Sequence, residues 1–466
     1  MVPDAPLVRL VVLNYNGGEL VVRCLEALGK LDWPAARLEV VVVDNASADG
    51  SDAVIVERFP GVRLIRSPGN TGFPANNLAL RHLDGVDYVG LVNPDSCVEP
   101  GWLRTLVGAL EADEALGAVS PRMLFADRFV DVEISSPTFV PGAADRRMLG
   151  GQVSGARVDG IDRWRDAQFA EGTWGIEHDP TGSRFQWTSG TAVVRLPVGL
   201  GQPGARRRPA TDGPRQGGDV RTPRAELRLA AEGPKRITVR CGTVERHVDV
   251  GASPGWVEIP LSGTPRDIVN NVGSIVFDDG YGADRGFLEP DRGQYQEPVE
   301  VFAWCGGSVL LRPRYLADVG LFDERFFLYY EDTDLSWRGR TRGWRYGYVP
   351  DAMVRHVHAA STGEGSPVFQ HYVERNRLLM LTKVAPRDLA WRALWRYLLV
   401  TLSYARRDIV GPVLRLHRPN VEQVRRRLAS LAGFAWLAPA MLRDRWRIRR
   451  RSTVGDDELR ARFTPR

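Results

Sequence analysis

The stretch that decides the fold is Leu38-Glu39-Val40-Val41-Val42-Val43-Asp44, which Asn45-Ala46-Ser47 follows directly. An uninterrupted run of valines is typical of a strand buried on both faces, as in a parallel sheet. An aspartate at the carboxyl end of such a strand lies where α/β sheets bind their ligands. Asp44 is therefore a candidate for hydrogen bonding to a nucleobase or a ribose hydroxyl. The alternative is a cap for the helix predicted from Ser51.

The same alternation of strands and helices extends over residues 7–125. The predicted strands are Val8–Asn14, Leu38–Asp44, Val62–Ser67, Tyr88–Asn93 and Ala118–Pro121, and the predicted helices are Glu19–Leu31, Ser51–Arg58, Pro74–His82 and Gly101–Glu111. This order predicts an α/β domain with a Rossmann-like, mostly parallel sheet. Asn14, Asp44, Asn70 and Asp95 each follow an apolar strand, so we expect all four at one edge of that sheet.

A second turn of interest, Asn93-Pro94-Asp95, ends the strand that begins at Tyr88. Its proline restricts the backbone and projects Asp95 from the end of the sheet. A hard divalent cation prefers oxygen ligands and keeps positions open for diphosphate oxygens. Asp95 is therefore a candidate metal ligand, and the alternative is an Asx turn that binds no metal.

Composition, net charge and cysteine spacing limit the class of protein to which the chain can belong. With 466 residues, 43% of them hydrophobic and 26% charged, the chain is long enough for two or three folded domains. A net charge of +5 indicates no particular partner, and we expect no nucleic-acid binding. The four cysteines show no CxxC spacing, which favours reduced thiols over disulfides or a zinc site. Without a signal-peptide pattern or an apolar run of about 18 residues, we expect a cytoplasmic protein, soluble or peripheral on a membrane.

Changes in composition predict four regions. We expect the first half of the α/β domain at 1–125, an inserted β-rich domain at 126–265, the second half of the α/β domain at 266–385 and a basic helical region at 386–466. Short alternating segments predict an antiparallel β-sandwich in the insertion, namely Ala225–Leu229, Arg236–Arg240, Glu245–Val250 and Trp256–Pro260. Residues 199–223, rich in Gly, Pro and Arg, predict a flexible loop.

The last region combines an apolar helix with a run of arginines. Leu428–Leu442 is apolar apart from Ser430 and is interrupted by Pro439, and six arginines lie between Arg443 and Arg451. This pattern suits the headgroup region of an anionic membrane. The alternative is a tail helix that packs on the domain and has a solvated basic end.

Several motifs, taken in order, give the chain a family resemblance. They are Leu13-Asn14-Tyr15-Asn16-Gly17, Val43-Asp44-Asn45-Ala46-Ser47, Asn70-Thr71-Gly72-Phe73 with Asn76-Asn77, Asn93-Pro94-Asp95, Gly306-Gly307-Ser308, Gly320-Leu321-Phe322-Asp323-Glu324 and Phe327-Leu328-Tyr329-Tyr330-Glu331-Asp332-Thr333-Asp334-Leu335. The chain thereby resembles the family 2 glycosyltransferases of the GT-A fold. It is most similar to rhamnosyltransferase-like and galactofuranosyltransferase-like members that build bacterial cell-wall glycans. The resemblance covers residues 7–125 and about 266–382.

The resemblance implies an inverting, metal-dependent hexosyltransferase. It implies a nucleotide site formed by Asn14, Asn16, Asp44, Asn70, Gly72 and Asn93. It also implies that Asp95 binds Mg²⁺ or Mn²⁺, which would stabilise the leaving diphosphate. In the Glu331-Asp332 pair we assign the general base to Asp332, and we expect repulsion from Glu331 to raise its pKa. The alternative for these acids is a charged helix start.

Other residues gain candidate roles from the same resemblance. A histidine near residues 356–358 completes the metal site in the family; the pattern His-x-x-x-Ala-Ser-Thr favours His356, and His358 is the alternative. The set assigned to the diphosphate or the acceptor is Trp304, Gly306, Gly307 and Arg375. Trp304 would stack on a sugar face and the glycines would allow close approach, unless they form a buried turn. Arg375 would pair with a diphosphate, unless it is a surface arginine.

The expected partners are a nucleotide-sugar donor and a glycan or polyprenyl-linked acceptor in cell-wall or surface polysaccharide synthesis. Thymidine-diphospho-rhamnose is the first candidate donor and a uridine-diphospho-sugar the second. The basic C-terminal helices would contact the membrane surface, and the inserted domain would bind glycan or form a homo-oligomer. The alternatives are a non-catalytic carbohydrate-binding protein of the same fold and a nucleotidyltransferase. The second would be expected to have a Gly-rich phosphate loop after the first strand, where this chain has Asn14-Tyr15-Asn16-Gly17-Gly18.

Overall fold

The computed structural model describes residues 5–142, 145–179, 182–199, 222–357 and 366–465. They divide into two compact units, each of which is described by itself. The first unit comprises Met1–Leu124, Val269–Phe287 and Gly293–Arg466, and the second comprises Phe125–Ile268 and Leu288–Arg292. His358 and most of the predicted loop at 199–223 lie outside the described residues.

The strands and helices follow in chain order. The strands are β1 (Val8–Asn14), β2 (Leu38–Asp44), β3 (Arg63–Arg66), β4 (Tyr88–Val92), β5 (Ser96–Val98), β6 (Leu116–Phe125), β7 (Arg128–Ser135), β8 (Gln152–Val158), β9 (Ile161–Asp162), β10 (Gln168–Thr173), β11 (Glu177–His178), β12 (Arg184–Val198), β13 (Arg224–Ala230), β14 (Lys235–Cys241), β15 (Val244–Val250), β16 (Gly255–Pro260), β17 (Val269–Asn271), β18 (Ser274–Val276), β19 (Gly282–Asp284), β20 (Val299–Glu300), β21 (Ser308–Leu311) and β22 (Arg345–His356). The α-helices are α1 (Gly18–Leu28), α2 (Ser51–Arg58), α3 (Asn77–Leu80), α4 (Trp102–Ala112), α5 (Pro313–Val319), α6 (Glu331–Thr341), α7 (Pro367–Val384), α8 (Arg387–Ala405), α9 (Gly411–Leu414), α10 (Glu422–Arg451) and α11 (Asp456–Arg460). Short 3₁₀ helices lie at Ala35–Arg37 and Phe73–Asn76, and a π-helix lies at Arg406–Val410.

The main sheet of the first unit is mixed, with the order β20-β22-β6-β21-β4-β1-β2-β3. The strands from the first part of the chain, β3, β2, β1 and β4, are parallel, as the sequence predicts. The strands from the second part run antiparallel to their neighbours, because β21 pairs with β4 and β6 and β22 pairs with β5 and β20. The predicted α/β sheet is confirmed, but it is parallel only in its first half.

Each valine strand is covered on both faces, which is the reason for its composition. In β2, Val41 and Val43 face the hydrophobic cluster that also contains Leu335 of α6. Val42, between them, faces the opposite cluster with Leu25 of α1. Because alternate side chains point to opposite faces, polar residues are excluded until the strand ends at Asp44.

The second unit is an antiparallel β structure with its own core. Its path is β15-β14-β7-β12-β8-β13-β16, with β9, β10 and β11 attached at the side. Alternate residues of β7 (Val130, Val132 and Ile134) point into one core with Ile237 and Val239 of β14. The antiparallel region predicted within the insertion is therefore present.

The C-terminal helices of the first unit pack around α7. Leu378 and Leu381 of α7 share a core with Leu389 and Tyr397 of α8 and with Phe434 of α10. Pro439 lies inside α10, which continues through it to Arg451. In the described part of the chain, no helix has the length and apolar character needed to cross a membrane.

Candidate functional site

The first polar cluster lies where β1 and β2 end side by side. Their parallel register pairs Asn14 with Asp44, and Asn14 Nδ2 donates to Asp44 Oδ1 at 2.8 Å. The same amide lies 3.1 Å from Ser47 Oγ and 2.9 Å from Ser51 Oγ. Asn14 and Asp44 are both buried. Each already has protein partners, so this end of the sheet has a fixed shape before any ligand arrives.

The next loop extends the same network. Asn45 Nδ2 donates to Asn70 Oδ1 at 2.9 Å and to the Gly72 carbonyl at 3.1 Å, and Asn70 Oδ1 also accepts from the amide of Gly72. On the exposed side, Asn16 Oδ1 accepts from the amide of Ala48 at 2.7 Å. The predicted nucleotide residues Asn14, Asn16, Asp44, Asn70 and Gly72 are thus joined by one hydrogen-bond network, which also includes Asn45. Asn45 was missed as a site residue, although it directly follows Asp44.

Gly72 joins this network to the loop that precedes the catalytic motif. Its φ is +72°, and a Cβ there would lie 1.9 Å from the carbonyl oxygen of Phe327, so only glycine fits. The next amide, that of Phe73, donates to the same carbonyl at 2.8 Å. The 327–330 loop is therefore fixed against the nucleotide half of the domain.

That loop has a strained backbone. Phe327, Tyr329 and Tyr330 all have positive φ, between 64° and 69°, which bulky side chains rarely adopt. Asn376 on α7 is fully buried, and its Nδ2 lies 2.7–2.8 Å from the carbonyl oxygens of Phe326, Leu328 and Tyr329. One side-chain amide thus donates hydrogen bonds to three carbonyl oxygens of the loop and fixes where α6 begins.

Glu331 and Asp332 begin α6, so the helix-start alternative describes their location correctly. A third acid of the same turn, Asp334, pairs with Arg338 at 2.9 Å and Lys383 at 2.8 Å. Among the described residues neither Glu331 nor Asp332 forms an ion pair, and Oε2 of Glu331 is buried without a hydrogen-bond partner. A helix start alone does not explain the buried oxygen of Glu331, which lacks a partner among the described residues.

Burial raises the pKa of Asp332 above its usual range, against hydrogen bonds from the amides of Gly306 and Thr333 that lower it. The predicted direction of this shift is therefore correct, but its main cause is burial and not repulsion from Glu331. The repulsion acts on Glu331 instead, whose pKa is raised well above its usual range by burial first and by Asp332 second. Both acids favour the proton more than ordinary carboxyls do.

Gly306 and Gly307 connect Asp332 to the Asn93 turn. The Gly306 amide donates to Asp332 Oδ2 at 3.0 Å, and the Gly307 carbonyl accepts from the Asn93 amide at 2.9 Å. A Cβ on Gly306 would lie 2.8 Å from the ring of Phe73. The close approach predicted for the glycines is made by the protein itself, as the buried-turn alternative states, and it brings Asp332 beside the Asn93 turn.

Asp95 and His356 meet through the pairing of β5 with β22. His356 stands opposite Ser96 in that pair, and its Nε2 lies 3.1 Å from Asp95 Oδ1. Its Nδ1 lies 3.0 Å from Asn270 Oδ1. Burial lowers the pKa of His356, but Asp95 and then Asp284 raise it, and the net shift is upward. The sequence expectation that His356 stands next to Asp95 is therefore met in the fold.

The same neighbourhood contains two residues that sequence reasoning missed, Asn270 and Asp284. Asn271, next to Asn270, donates to Asp284 Oδ1 at 2.5 Å. Burial raises the pKa of the nearby Cys305 thiol, and the carboxylates of Asp284 and Asp332 raise it further. Asp284 therefore acts electrostatically on His356, which stands beside Asp95, and together with Asp332 on Cys305. Within the described ranges, no three His, Cys, Asp or Glu side chains stand close enough together to hold a metal ion.

The structure corrects the prediction for Trp304 and places Arg375 against the loop that precedes α6. Trp304 is fully buried and packs edge-on against Phe322, so it cannot stack on a sugar. Arg375 is half-buried and donates through Nη2 to the carbonyls of Arg325 and Phe326, both at 3.0 Å. These contacts support the loop that Asn376 also holds, and the diphosphate or acceptor role of Arg375 stays a prediction.

Comparison with known proteins agrees with this arrangement. Residues 10–156 match the model of the family "Glycosyl transferase family 2". The chain is 26% identical over 358 residues to an N-acetylglucosaminyl-diphospho-decaprenol L-rhamnosyltransferase of Mycobacterium tuberculosis (strain CDC 1551 / Oshkosh), covering 76% of this chain and 77% of that protein. An uncharacterized protein of the same strain is 29% identical over 126 residues, which are 27% of this chain and 39% of the relative's length. A structure of GalNAc-T7 with UDP, GalNAc and Mn²⁺ is similar over 95% of this chain and 57% of that chain, at 12% identity and a TM-score of 0.45.

Residues 10–156 therefore carry the sequence of a family 2 glycosyltransferase domain, and over 76% of its length the chain is similar to a glycosyltransferase. It is therefore a glycosyltransferase, and its catalytic domain carries an inserted antiparallel β unit.

Proposed function

We propose that this glycosyltransferase transfers a sugar with inversion from a nucleoside-diphosphate-sugar, with Asp332 as the general base. The observation that carries the proposal is the hydrogen bond between the Gly306 amide and Asp332 Oδ2. It holds a carboxylate of raised pKa next to the turn that carries Asn93 and Asp95. In-line attack at the anomeric carbon needs a base that takes the proton of the acceptor hydroxyl, and a raised pKa brings Asp332 closer to neutral pH.

The donor nucleotide would lie along Asn14, Asn16, Asp44, Asn70 and Gly72, with Asn93 at the end of the surface. A saturated network of this kind positions a ligand without reorganising. The similarity to a rhamnosyltransferase supports thymidine-diphospho-rhamnose as first donor candidate, with a uridine-diphospho-sugar second.

A divalent cation, Mg²⁺ or Mn²⁺, fits the residues present. Asp95 offers carboxylate oxygen and His356 offers imidazole nitrogen, a ligand set that suits Mn²⁺ and, through its oxygen, Mg²⁺. Asn270 bonds the far nitrogen of His356 and so orients Nε2 towards Asp95. The bound ion would neutralise charge on the leaving diphosphate.

The acceptor is proposed to be a glycan or a polyprenyl-linked saccharide at an anionic membrane surface. On α8, Trp391, Trp395, Leu399 and Leu402 are exposed at helical spacing on one face. On α10, Trp436 is 86% exposed, and Trp446 is exposed beside Arg450. Exposed tryptophans bordered by arginines are typical of helices that lie in the headgroup region. Sedimentation with vesicles containing phosphatidylglycerol, but not with pure phosphatidylcholine vesicles, is the expected result.

The experiment that tests the function is incubation of the full chain with Mn²⁺ and a panel of nucleotide-sugars. We expect slow release of a nucleoside diphosphate from one donor, release that stops with a chelator and returns with Mn²⁺. Release of pyrophosphate would instead indicate a nucleotidyltransferase. Binding of a donor without turnover, even with acceptor saccharides present, would indicate a carbohydrate-binding protein. His356→Ala should raise the metal concentration for half-maximal rate by about 10- to 100-fold.

A further inference from the structure

A cavity of about 260 Å³ lies among α7, α8, α10 and the segment before β19. Its charged and aromatic lining consists of Tyr281, Glu374, Arg377, Arg396, Tyr397 and Arg427. None of these residues has a part in the donor or base assignments above. The cavity is therefore a separate feature of the first unit that needs its own explanation.

The guanidinium groups in the cavity are held over aromatic rings. The guanidinium carbon of Arg377 lies 3.8 Å from the ring centre of Tyr281, and that of Arg427 lies 3.9 Å from the ring centre of Tyr397. Stacking fixes the planes of these groups while leaving their edges available for hydrogen bonds.

Arg377 keeps an open donor, whereas Arg427 donates through Nε to Thr401 Oγ1 at 2.9 Å and through Nη2 to the Tyr397 carbonyl at 3.2 Å. Arg377 is only 3% exposed, and its Nε is buried without a hydrogen-bond partner among the described residues. Its Nη2 is 3.5 Å from Glu374, and Arg427 Nη1 is 3.8 Å from the same carboxylate, both long for hydrogen bonds. A buried guanidinium with an open donor is costly unless a further acceptor enters the cavity.

The charges leave the cavity positive. Arg377, Arg396 and Arg427 stand against Glu374 and against Asp279, which lies 3.6 Å from Arg396. One positive charge therefore remains in excess, in a pocket whose lining offers planar N–H donors. Phosphate oxygens match such donors in charge and geometry.

Residues of the cavity lining are adjacent in the sequence to the exposed apolar stripe and to a residue that contacts the loop before α6. Arg396 is exposed on α8 directly after Trp395 of the stripe. Tyr281 precedes Gly282, whose amide donates to Tyr330 Oη at 3.2 Å. Tyr330 is the residue before the Glu331-Asp332 pair.

We propose that this cavity binds the diphosphate of a lipid-linked acceptor, with the lipid on the α8 stripe and the sugar directed towards Asp332. The proposal rests on the proposed transferase function and names the part of the acceptor that the enzyme holds. The same diphosphate chemistry could be supplied by a free anion or by the released nucleoside diphosphate, and the test separates these sources.

The test is calorimetric titration of the full chain, without divalent metal, with farnesyl diphosphate, inorganic pyrophosphate, farnesol and uridine diphosphate. We expect farnesyl diphosphate to bind most tightly, and Arg377→Gln and Arg396→Gln each to weaken it about tenfold. Arg396 is exposed, so its variant should fold even if Arg377→Gln does not. Arg392→Gln, on the same helix but outside the cavity, should bind as the unchanged chain does.

Each contrary outcome has a distinct meaning. Pyrophosphate or uridine diphosphate binding as tightly as farnesyl diphosphate, with the same sensitivity to Arg396→Gln, would overturn the lipid-linked source. Binding of farnesyl diphosphate that neither variant weakens would overturn the cavity as the site. Absence of sugar transfer from every donor would instead remove the proposed function, while these titrations would still report on the cavity.

Discussion

The two ends of the catalytic domain differ in whether their buried polar groups have hydrogen-bond partners. At the nucleotide end, the buried Asn14 and Asp44 are bonded to each other and to neighbouring serines and amides. At the catalytic end, Glu331 has a buried oxygen without a partner in the described part of the chain, and the pKa of Asp332 is raised by burial. The first arrangement stabilises the fold, whereas the second destabilises it.

This difference in hydrogen bonding indicates the function to which each end is suited. A saturated network holds one geometry and lets a ligand bind without rearrangement. A shielded carboxyl of raised pKa is a stronger base once deprotonated, and the surrounding structure must offset its cost. Substitutions should therefore lower stability at the nucleotide end and raise it at Glu331.

The largest expected effect on stability is at Asn14. Asn14→Ala leaves the buried Asp44 without its side-chain partner and removes the contacts to two serines, so it should lower the free energy of unfolding by about 3 kcal/mol. Urea unfolding followed by circular dichroism measures the change. Glu19→Ala, an exposed substitution on the adjoining α1, should stay within about 0.5 kcal/mol. A similarly small loss of unfolding free energy for Asn14→Ala would mean that the hydrogen-bond network does not stabilise this end of the sheet.

A smaller loss of stability, with a larger effect on rate, is expected at Asn376. Asn376→Asp keeps the shape but replaces the donor that collects three loop carbonyls by an acceptor, at a cost of about 2 kcal/mol. Because the loop sets the start of α6, kcat should fall while the donor KM stays unchanged. Asn420→Asp, in an exposed segment, is the matched control. Weaker donor binding together with a fall in kcat would contradict the assignment of donor binding to one end and catalysis to the other.

The smallest effect has the opposite sign. Glu331→Gln removes a buried carboxylate and should stabilise the fold at pH 7 by about 1 kcal/mol. The pKa of Glu331 is raised in the folded state, so the native protein loses stability as the pH rises from the usual carboxyl value towards the raised one. The gain from Gln should therefore vanish below about pH 4. Thermal melts at pH 4 and pH 7 measure it, and destabilisation at pH 7 would contradict an unpaired acid at this position.

The sequence predicts the nucleotide end well because local rules determine it. The valine runs set the parallel strands, and parallel strands end together, so Asn14 and Asp44 fall opposite each other. Helix α2 occupies the predicted residues Ser51–Arg58. The predicted strands of the insertion, such as Glu245–Val250, also lie within strands of the structure.

The rest depends on contacts between distant segments, which local patterns do not encode. Trp304 looks available beside two glycines, but Phe322 and the surrounding core bury it completely. The shift at Asp332 comes from burial by the assembled loop, which two adjacent acids in a sequence do not reveal. Asn270 reaches His356 across 86 positions of chain, and no local pattern of the sequence relates the two residues.

The central claim is that Asp332 is the general base and that the nucleotide end binds the donor without a contribution from Asp332. The direct test is Asp332→Asn, with the donor affinity measured by titration and transfer measured in a single turnover with Mn²⁺. We expect an unchanged donor affinity and a rate lower by about 10²- to 10⁴-fold, with Glu324→Gln, an exposed acid of the preceding motif, as the control at full rate. Transfer by Asp332→Asn at the rate of the unchanged chain would contradict the account.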